Sequence, residues 1–191
     1  MKSIRVLLCA LPLALTGCST LSSVNWSSAY PWNWFGSSTE VTEQGVGKIT
    51  AATPLTDSAI GDALGSDYHL RSGMKTAGGS IVKFFEAMKD NKVALVINGD
   101  AGTVSRIEVM DGDIKAGDGT KIGTPFSDVY SKAFDNCQKA RGDDAESVEC
   151  KAKGSQHISY VFSGSWSGPQ ALMPPDDILR NWKVSKIIWR R

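Results

Sequence analysis

The chain has 191 residues, of which 41% are hydrophobic and 21% charged, and its formal net charge at pH 7 is +1. This length and apolar content suffice for one well-buried domain and give no reason to divide the chain further. The near balance of charge lacks the basic excess that is typical of nucleic-acid-binding proteins, so we expect no nucleic-acid partner.

The N-terminus has the features of a bacterial export signal. Residues 6–15 form a short apolar segment behind Lys2 and Arg5, whereas a membrane-spanning helix needs about 20 apolar residues. We therefore predict that residues 1–17 are a signal peptide and not a membrane-spanning anchor. The signal ends in a sequence typical of a bacterial lipobox, Leu15-Thr16-Gly17-Cys18.

A lipobox predicts lipidation at Cys18, with diacylglycerol on the sulfur and a further acyl chain such as palmitate on the new amino group. Two or three acyl chains hold a protein firmly to a bilayer, whereas one does not. Ser19 stands where Asp commonly signals retention in the inner membrane, which favours the outer membrane facing the periplasm. The alternative interpretation is an ordinary signal peptide with a chance cysteine.

Two further cysteines, Cys137 and Cys150, remain once the signal is removed. In an oxidising compartment we expect them to form a disulfide, and closing a loop of about 15 residues stabilises a fold by roughly 3 kcal/mol in the chain-entropy model. A redox or metal pair is the alternative, but there is no C-x-x-C motif and only His69 and His157 are available as histidine ligands. We therefore predict no metal and no cofactor.

Residues 18–45 are predicted to be a lipidated, serine-rich tether with little regular structure, because they show a sustained period of neither 2 nor 3.6. The tether also contains several aromatic side chains, which include Trp26, Trp32 and Trp34. Amphipathic aromatic rings favour the headgroup region of a membrane or the surface of a protein partner. Packing back onto the folded domain is the alternative for these side chains.

Residues 46–191 are predicted to form a single globular domain. Its first half contains a short helix over residues 58–64, which Thr56 or Asp57 can cap. Residues 81–88 fit a helical face and a buried strand equally well, and we expect them to lie in the core in either case. Strands are predicted for residues 45–49, 68–74, 93–97 and 103–110, with a turn at 98–102 and a further hairpin around Ile114.

The second half begins with the strongest predicted helix, which Thr124 can cap and Pro125 can open. Its predicted apolar face consists of Phe126, Val129, Tyr130, Ala133 and Phe134, and it ends at Cys137. Strands are predicted for residues 148–151, 157–162 and 184–189, with a short helix from Pro174 toward Trp182. This pattern predicts a mainly β fold with sandwich-like antiparallel sheets, one good helix and one or two short helices; an α+β domain is the alternative.

Three segments come close to chemical motifs without meeting them. Residues 164–168 resemble a nucleophile elbow, but the central residue is Trp166 where a serine is required. A calcium-binding loop could begin at Asp111, yet its twelfth position is Ile122 instead of Glu. Residues 117–119 lack the third glycine of a dinucleotide-binding loop. We therefore predict no catalytic residues.

Histidine and tryptophan side chains remain as candidates for function. His69 and His157 would act as general acids or bases only if carboxylates converged on them, and we expect each to occupy an ordinary position in a sheet. Trp166, Trp182 and Trp189 would suit either a glycan or peptide groove or the core. We expect Trp166 to be exposed, because its loop is rich in glycine, serine and proline.

Four segments carry a family resemblance that extends over nearly the whole chain. They are Leu70-Arg71-Ser72-Gly73-Met74, Gly123-Thr124-Pro125-Phe126, Ser159-Tyr160-Val161-Phe162 and Leu172-Met173-Pro174-Pro175-Asp176-Asp177. They resemble segments of the enterobacterial sigma-E-regulated lipoprotein family, which is classified as a domain of unknown function. The resemblance implies an outer-membrane or periplasmic lipoprotein with a mainly β fold that is expressed during envelope stress. It implies no catalytic residues.

Two classes of function follow. The first is a noncatalytic binding or structural protein of the envelope, held at the membrane by its lipid, with an envelope protein or peptidoglycan as a further partner. Anchoring raises the local concentration of the domain, so a weak contact would suffice. The second is a hydrolase or transferase that acts on envelope material through an unrecognised site. We prefer the first, with four tryptophans as candidate contacts with a partner or the membrane: Trp26, Trp32, Trp34 and Trp166.

Overall fold

The computed structural model describes residues 39–77, 79–169 and 171–191. The strands in this part of the chain are β1 (Glu40–Thr42), β2 (Gly45–Val46), β3 (Ile49–Thr50), β4 (His69–Ala77), β5 (Ser80–Lys89), β6 (Lys92–Asp100), β7 (Thr103–Val109), β8 (Lys115–Ala116), β9 (Cys137–Lys139), β10 (Val148–Lys151), β11 (Ile158–Ser163) and β12 (Lys183–Arg190). The helices are α1 (Asp57–Leu64), α2 (Phe126–Val129) and α3 (Asp176–Leu179), together with a 3-10 turn at Gly142–Asp144.

The strands form two sheets. The large sheet has eight strands in the order β4-β5-β6-β7-β12-β11-β10-β9, and every neighbouring pair is antiparallel. The small sheet has four strands in the order β3-β2-β1-β8, of which only β1 and β8 pair in parallel. The prediction of a mainly β fold built from antiparallel sheets is confirmed.

Both sheets contribute to one hydrophobic core. Val41, Val46 and Ile49 of the small sheet are fully buried and belong to the same cluster as the inward side chains of the large sheet. Helix α1 adds Ile60 to this core. Its start agrees with prediction, because Thr56 accepts a hydrogen bond from the backbone N–H of Ala59. Burial of these shared apolar side chains stabilises the fold.

The first strand in the described part of the chain, β1, begins at Glu40, ahead of the domain start predicted at Val46. Strand β1 pairs with β2, with Val41 opposite Val46, and the side chain of Val41 is fully buried. Strands β1, β2 and β3 are only two or three residues long. The sequence therefore shows no long alternation of apolar and polar residues here. Residues 40–42 therefore pair and pack with the residues that follow them.

Strands β4 to β7 form consecutive hairpins. Asp90 and Asn91 between β5 and β6 both have positive φ, and so do Ala101 and Gly102 between β6 and β7, as the tight two-residue hairpin turn requires. The predicted turn at 98–102 is therefore too long. Residues 98–100 continue β6, with a register shift after Asn98 that lets Gly99 pair with Val104.

The predicted long helix from Thr124 to Cys137 is wrong. Helix α2 ends at Val129, Tyr130 is extended with φ −129° and ψ 139°, and Phe134 is 71% exposed. In a continuing helix the N–H of Ala133 would donate to Val129, but it donates instead to the carboxylate of Asp176 at 2.8 Å. A contact from a distant segment thus replaces the bond that helix propagation needs.

Strand β12 occupies the middle of the large sheet, between β7 and β11. Trp189 pairs with Ile107 on one side and Ile158 on the other, and only 2% of its surface is exposed. Its indole Nε1 donates to the carbonyl oxygen of Glu43 at 3.1 Å, which ties the turn between β1 and β2 to the large sheet. The prediction of a buried C-terminal strand is confirmed.

Candidate functional site

Four of the predicted functional residues lie outside the described part of the chain. They are Cys18, Trp26, Trp32 and Trp34. Lipidation and contact with a membrane or partner through these residues therefore stay predictions. The described residues include no helix that is both long and apolar enough to cross a bilayer.

The predicted disulfide joins Cys137 and Cys150. The two residues pair directly across β9 and β10, at the edge of the large sheet. The bond was expected to join the end of a helix to a strand, but residue 137 lies in a strand because the preceding helix ends at Val129. The disulfide therefore closes an edge hairpin whose loop carries the 3-10 turn.

The tryptophans of the domain pack mainly inward. Trp182 and Trp189 are 3% and 2% exposed and belong to the core. Trp166 is half-buried instead of exposed as predicted, because it packs against the core and its ring lies over Gly168. Only the remaining exposed part of Trp166 is accessible to a partner.

The two histidines occupy separate places in the large sheet. His69 begins β4 at one edge, and His157 precedes β11, so five strand spacings, about 24 Å, separate them. The Nδ1 of His157 lies 2.7 Å from the carbonyl oxygen of Arg190 and must donate to it, because a carbonyl only accepts. The ring also stacks on Trp189. His157 therefore has a structural role in holding the end of β12.

The carboxylates of the loop that resembles the start of a calcium site are already paired with a lysine side chain. The Nζ of Lys89 lies 3.1 Å from a carboxylate oxygen of Asp111 and 2.7 Å from one of Asp113. The Asp111 carboxylate also accepts hydrogen bonds from the hydroxyl of Tyr68 and the N–H of Asp113. The ammonium group neutralises the carboxylates that a calcium ion would need.

Charged side chains line the outer face of the large sheet, opposite the core. Lys186 on β12 lies 2.7 Å from Glu108 on β7 and 2.8 Å from Asp144 in the 3-10 turn. Glu108 also accepts from Arg106 at 3.0 Å. This network draws the loop between β9 and β10 over the outer face of the sheet.

Burial and charge act against each other in this network. Burial alone would raise the pKa of Glu108, but the hydrogen bond from Lys186 and the charge of Arg106 outweigh burial and lower it. Burial would lower the pKa of Lys186, yet its hydrogen bonds to Asp144 and Glu108 raise it. Both groups are therefore charged in the folded protein at neutral pH.

A trough of about 680 Å³ lies beside this network, between the β9–β10 loop and the ends of β11 and β12. One wall contains a second ion pair, in which Arg190 lies 2.6 Å from Glu149 and also donates to Ser159. Arg141 and Lys151 also line the trough and are exposed. Among the described residues, neither of these two cations has a carboxylate within ion-pair distance.

We define this surface as the basic trough. Four cations line it, Arg106, Arg141, Lys151 and Arg190, against three carboxylates, Asp135, Asp144 and Glu149, of which the exposed Asp135 has no ion pair within the described part of the chain. The excess of one positive charge and the two unpaired cations favour an anionic group, and the pre-formed ion pairs fix the surrounding side chains. Sequence reasoning missed the trough, because Arg190 lies far from Arg141 and Lys151 in the chain and only the strand order brings it beside them. The exposed charges on a sheet face carry no local signal that distinguishes them from ordinary solvated residues.

Comparison with known proteins identifies the family. Residues 23–191 match the model of a family described as Protein of unknown function (DUF1131). The chain is 72% identical over 191 residues, covering all of both proteins, to the uncharacterized protein YfeY of Escherichia coli strain K12. It is also similar to the crystal structure of the uncharacterized protein yfeY from Escherichia coli, with a TM-score of 0.75 and 69% identity, covering 80% of this chain and 100% of the crystallised one. The chain therefore belongs to the DUF1131 family of proteins of unknown function.

Proposed function

We propose that the protein is a lipoprotein of the outer membrane that faces the periplasm and binds an anionic envelope partner without catalysing a reaction. The lipobox ending at Cys18 and the serine at position 19 support the anchor and its location. The disulfide between Cys137 and Cys150 fits an oxidising compartment. The resemblance to sigma-E-regulated lipoproteins supports expression during envelope stress.

The basic trough is the observation that carries the binding role. Arg141 and Lys151 line it as exposed side chains, while Arg190 is held by Glu149. An arrangement of fixed ion pairs beside uncommitted cations suits recognition of carboxylates on a partner surface. An envelope protein that presents an acidic segment is the partner we favour, because the trough is open and lies on a broad sheet face.

A binding role also agrees with the placement of the groups that acid–base chemistry would use. His157 is committed to the Arg190 carbonyl and to stacking on Trp189. Glu149 and Glu108 are committed to ion pairs. These contacts stabilise the sheet, and they do not direct a nucleophile and a base toward a shared point.

Metabolic labelling with an alkyne fatty acid tests the anchor. We expect label on the wild-type protein and its loss in Cys18→Ser, because residue 18 supplies the sulfur and the new amino group. Cys9→Ser is the matched control and should keep the label, since position 9 lies in the predicted signal. Label retained in Cys18→Ser, or recovery of labelled protein in the inner membrane alone, would contradict this part of the proposal.

Photocrosslinking in cells tests the binding role. A photoreactive residue at position 138, in place of the exposed and uncharged Gln138 of the trough, is expected to capture a defined partner, and Arg141→Glu should reduce that adduct at least tenfold by opposing an acidic partner. Probes at positions 32 and 166 test the tryptophan contacts, and a probe at the exposed position 92 is the control. Equal adducts at 138 and 92 would contradict a trough-specific partner. An adduct with peptidoglycan alone would exclude a protein partner.

A further inference from the structure

One end of the β4–β5 hairpin extends beyond the rest of the large sheet. Strand β6 pairs with β5 only from Phe84 onward, so residues 80–83 pair with β4 alone. We define residues 74–77 and 80–83 as the hairpin tip. All of its residues are exposed except Val82, which is half-buried. The tip is a two-stranded ribbon open to solvent on both faces.

Large apolar side chains lie on this ribbon where solubility would favour polar ones. Met74 is 77% and Ile81 is 75% exposed, the highest values among the large exposed hydrophobic residues described. The register pairs Met74 with Lys83 and Thr76 with Ile81, so these four side chains share one face. The exposure is therefore concentrated at one place on one face.

The tip is cationic as well as apolar. Lys75 and Lys83 are its charged residues, and residues 72–85 contain no Asp or Glu. Lys83 reaches Asp57 at 3.0 Å in an exposed pair, which contributes little in water.

Lys75 pairs with Val82 on the face opposite Met74 and Ile81, where it lies over the ring of Phe84. Lys83 shares the face of Met74 and lies over the ring of Phe85. With one lysine on each face, a tip that enters end-on would place its apolar side chains among acyl chains and both lysines at the level of the phosphates of an anionic bilayer.

Pairing with a second copy is the less favourable use of this edge. Antiparallel pairing of two β4 strands about Gly73 would place Arg71 of each copy opposite Lys75 of the other. Like charges directly opposite each other destabilise a strand pair. In this register Lys75 and Arg71, the latter paired with Glu86 of its own chain, oppose self-association, whereas an anionic occupant meets no such repulsion.

We propose that the hairpin tip inserts Met74 and Ile81 into an anionic lipid surface, while Lys75 and Lys83 contact lipid phosphates. This contact orients the domain on the membrane and does not require the lipid on Cys18. Where that lipid is present, 22 positions separate Cys18 from Glu40, a length that spans at most about 75 Å when fully extended. The anchor therefore leaves the tip free to reach the bilayer.

A fluorescent probe at the tip tests the proposal in the full lipidated protein reconstituted into vesicles. Thr76→Cys places an environment-sensitive dye on the same face as Ile81, and Lys92→Cys places it at an exposed site beyond the other end of β5. With vesicles of phosphatidylethanolamine and phosphatidylglycerol, we expect a blue shift and quenching by spin-labelled acyl chains at position 76 but not at 92. Vesicles of phosphatidylcholine alone should give at most a tenth of this response.

Two further variants separate the outcomes. Met74→Ser with Ile81→Ser in the Thr76→Cys protein should abolish quenching, and Lys75→Glu with Lys83→Glu should remove the preference for anionic lipid. Equal responses at positions 76 and 92, or none at 76, would overturn the proposal. A shift that needs a high protein concentration and no vesicles would identify a self-interface instead.

The same measurement distinguishes this proposal from the anchoring one. If Cys18 carries no lipid, the protein will not float with vesicles of phosphatidylcholine alone, to which the tip binds little, and the probe at position 76 is then read after anionic vesicles are added to the dissolved protein. A response under those conditions supports the tip contact even though anchoring has failed. Stable flotation without a response at position 76 supports the anchor and refutes the tip contact.

Discussion

The body of the large sheet and the hairpin tip use the same antiparallel pairing but bury very different amounts of apolar surface. Around β7, β12 and β11 the inward side chains are almost completely buried, and ion pairs cover the outward face. At the tip, backbone pairing continues while Met74 and Ile81 stay in water. Strand pairing alone therefore does not make a region of the domain stable. A region becomes stable where its apolar side chains are also buried against a second layer.

We expect the largest loss of stability from a substitution in the body of the large sheet, around β7, β12 and β11. Trp189→Ala should lower the free energy of unfolding by about 3–5 kcal/mol, because it removes a fully buried aromatic side chain and the hydrogen bond to Glu43. Trp189→Phe should cost clearly less, since it keeps most of the packing. Chemical denaturation measures both. Equal loss in the two variants would show that the indole hydrogen bond, and not packing, dominates at this position.

The disulfide should come next. Replacing Cys137 and Cys150 together with alanine is expected to lower the free energy of unfolding by roughly 3 kcal/mol, because the unfolded chain gains freedom. Reduction of the wild-type protein is the matched control and should lower its denaturation midpoint to the same extent. A reductant that also destabilises the double variant would show that the effect does not come from this bond.

Removing an ion pair from the outer face of the large sheet should lower the free energy of unfolding by an intermediate amount that depends on pH. Lys186→Met is expected to cost about 2 kcal/mol near pH 7, because it leaves Glu108 and Asp144 without their shared cation. The exposed Lys183→Met on the same strand is the control and should stay within about 0.5 kcal/mol of wild type.

The pH dependence follows from the lowered pKa of Glu108. A lowered pKa stabilises the fold above the unfolded-state pKa, and the contribution is lost as pH falls through the folded-state value. The difference between wild type and Lys186→Met should therefore shrink below about pH 4. The raised pKa of Lys186 adds a second loss only in strongly alkaline solution. A difference that stays constant during acidification would contradict the role of Glu108.

The smallest effect is expected at the tip. Met74→Ser with Ile81→Ser should change the free energy of unfolding by less than about 0.5 kcal/mol, because both side chains are already exposed. The fully buried Phe85→Ser, on the same strand, should cost several kcal/mol by comparison. A large loss in the tip variant would mean that these side chains pack in solution, and the contrast between body and tip would fail.

Some elements could be predicted from residues that lie within them or directly beside them in the sequence. Helix α1 follows from Thr56 as a cap, and β10 has the predicted bounds of Val148–Lys151. The helix expected after Thr124 failed because local periodicity cannot reveal that Asp176 accepts the N–H of Ala133. Thr124 itself accepts from Lys121 instead of capping the helix.

The candidate surfaces were harder to predict from the sequence than the strands were. Residues 81–88 were expected to be core in either conformation, and Phe85 is, but Ile81 is exposed because β6 ends before reaching it. No pattern within β5 shows how far its neighbour extends. The basic trough depends in the same way on strand order, which brings Arg141 and Lys151 beside Arg190.

The central position of β12 has a consequence for the order in which the protein is made. The chain begins at one end, yet the strand that joins β7 to β11 is the last one, Lys183–Arg190. Without β12 the strand order would leave two separate groups of strands, each with an open edge where β12 belongs. A chain that is synthesised from its N-terminus therefore completes this sheet only after β12 has been made. Loss of the final eight or nine residues would leave two exposed strand edges and a divided core.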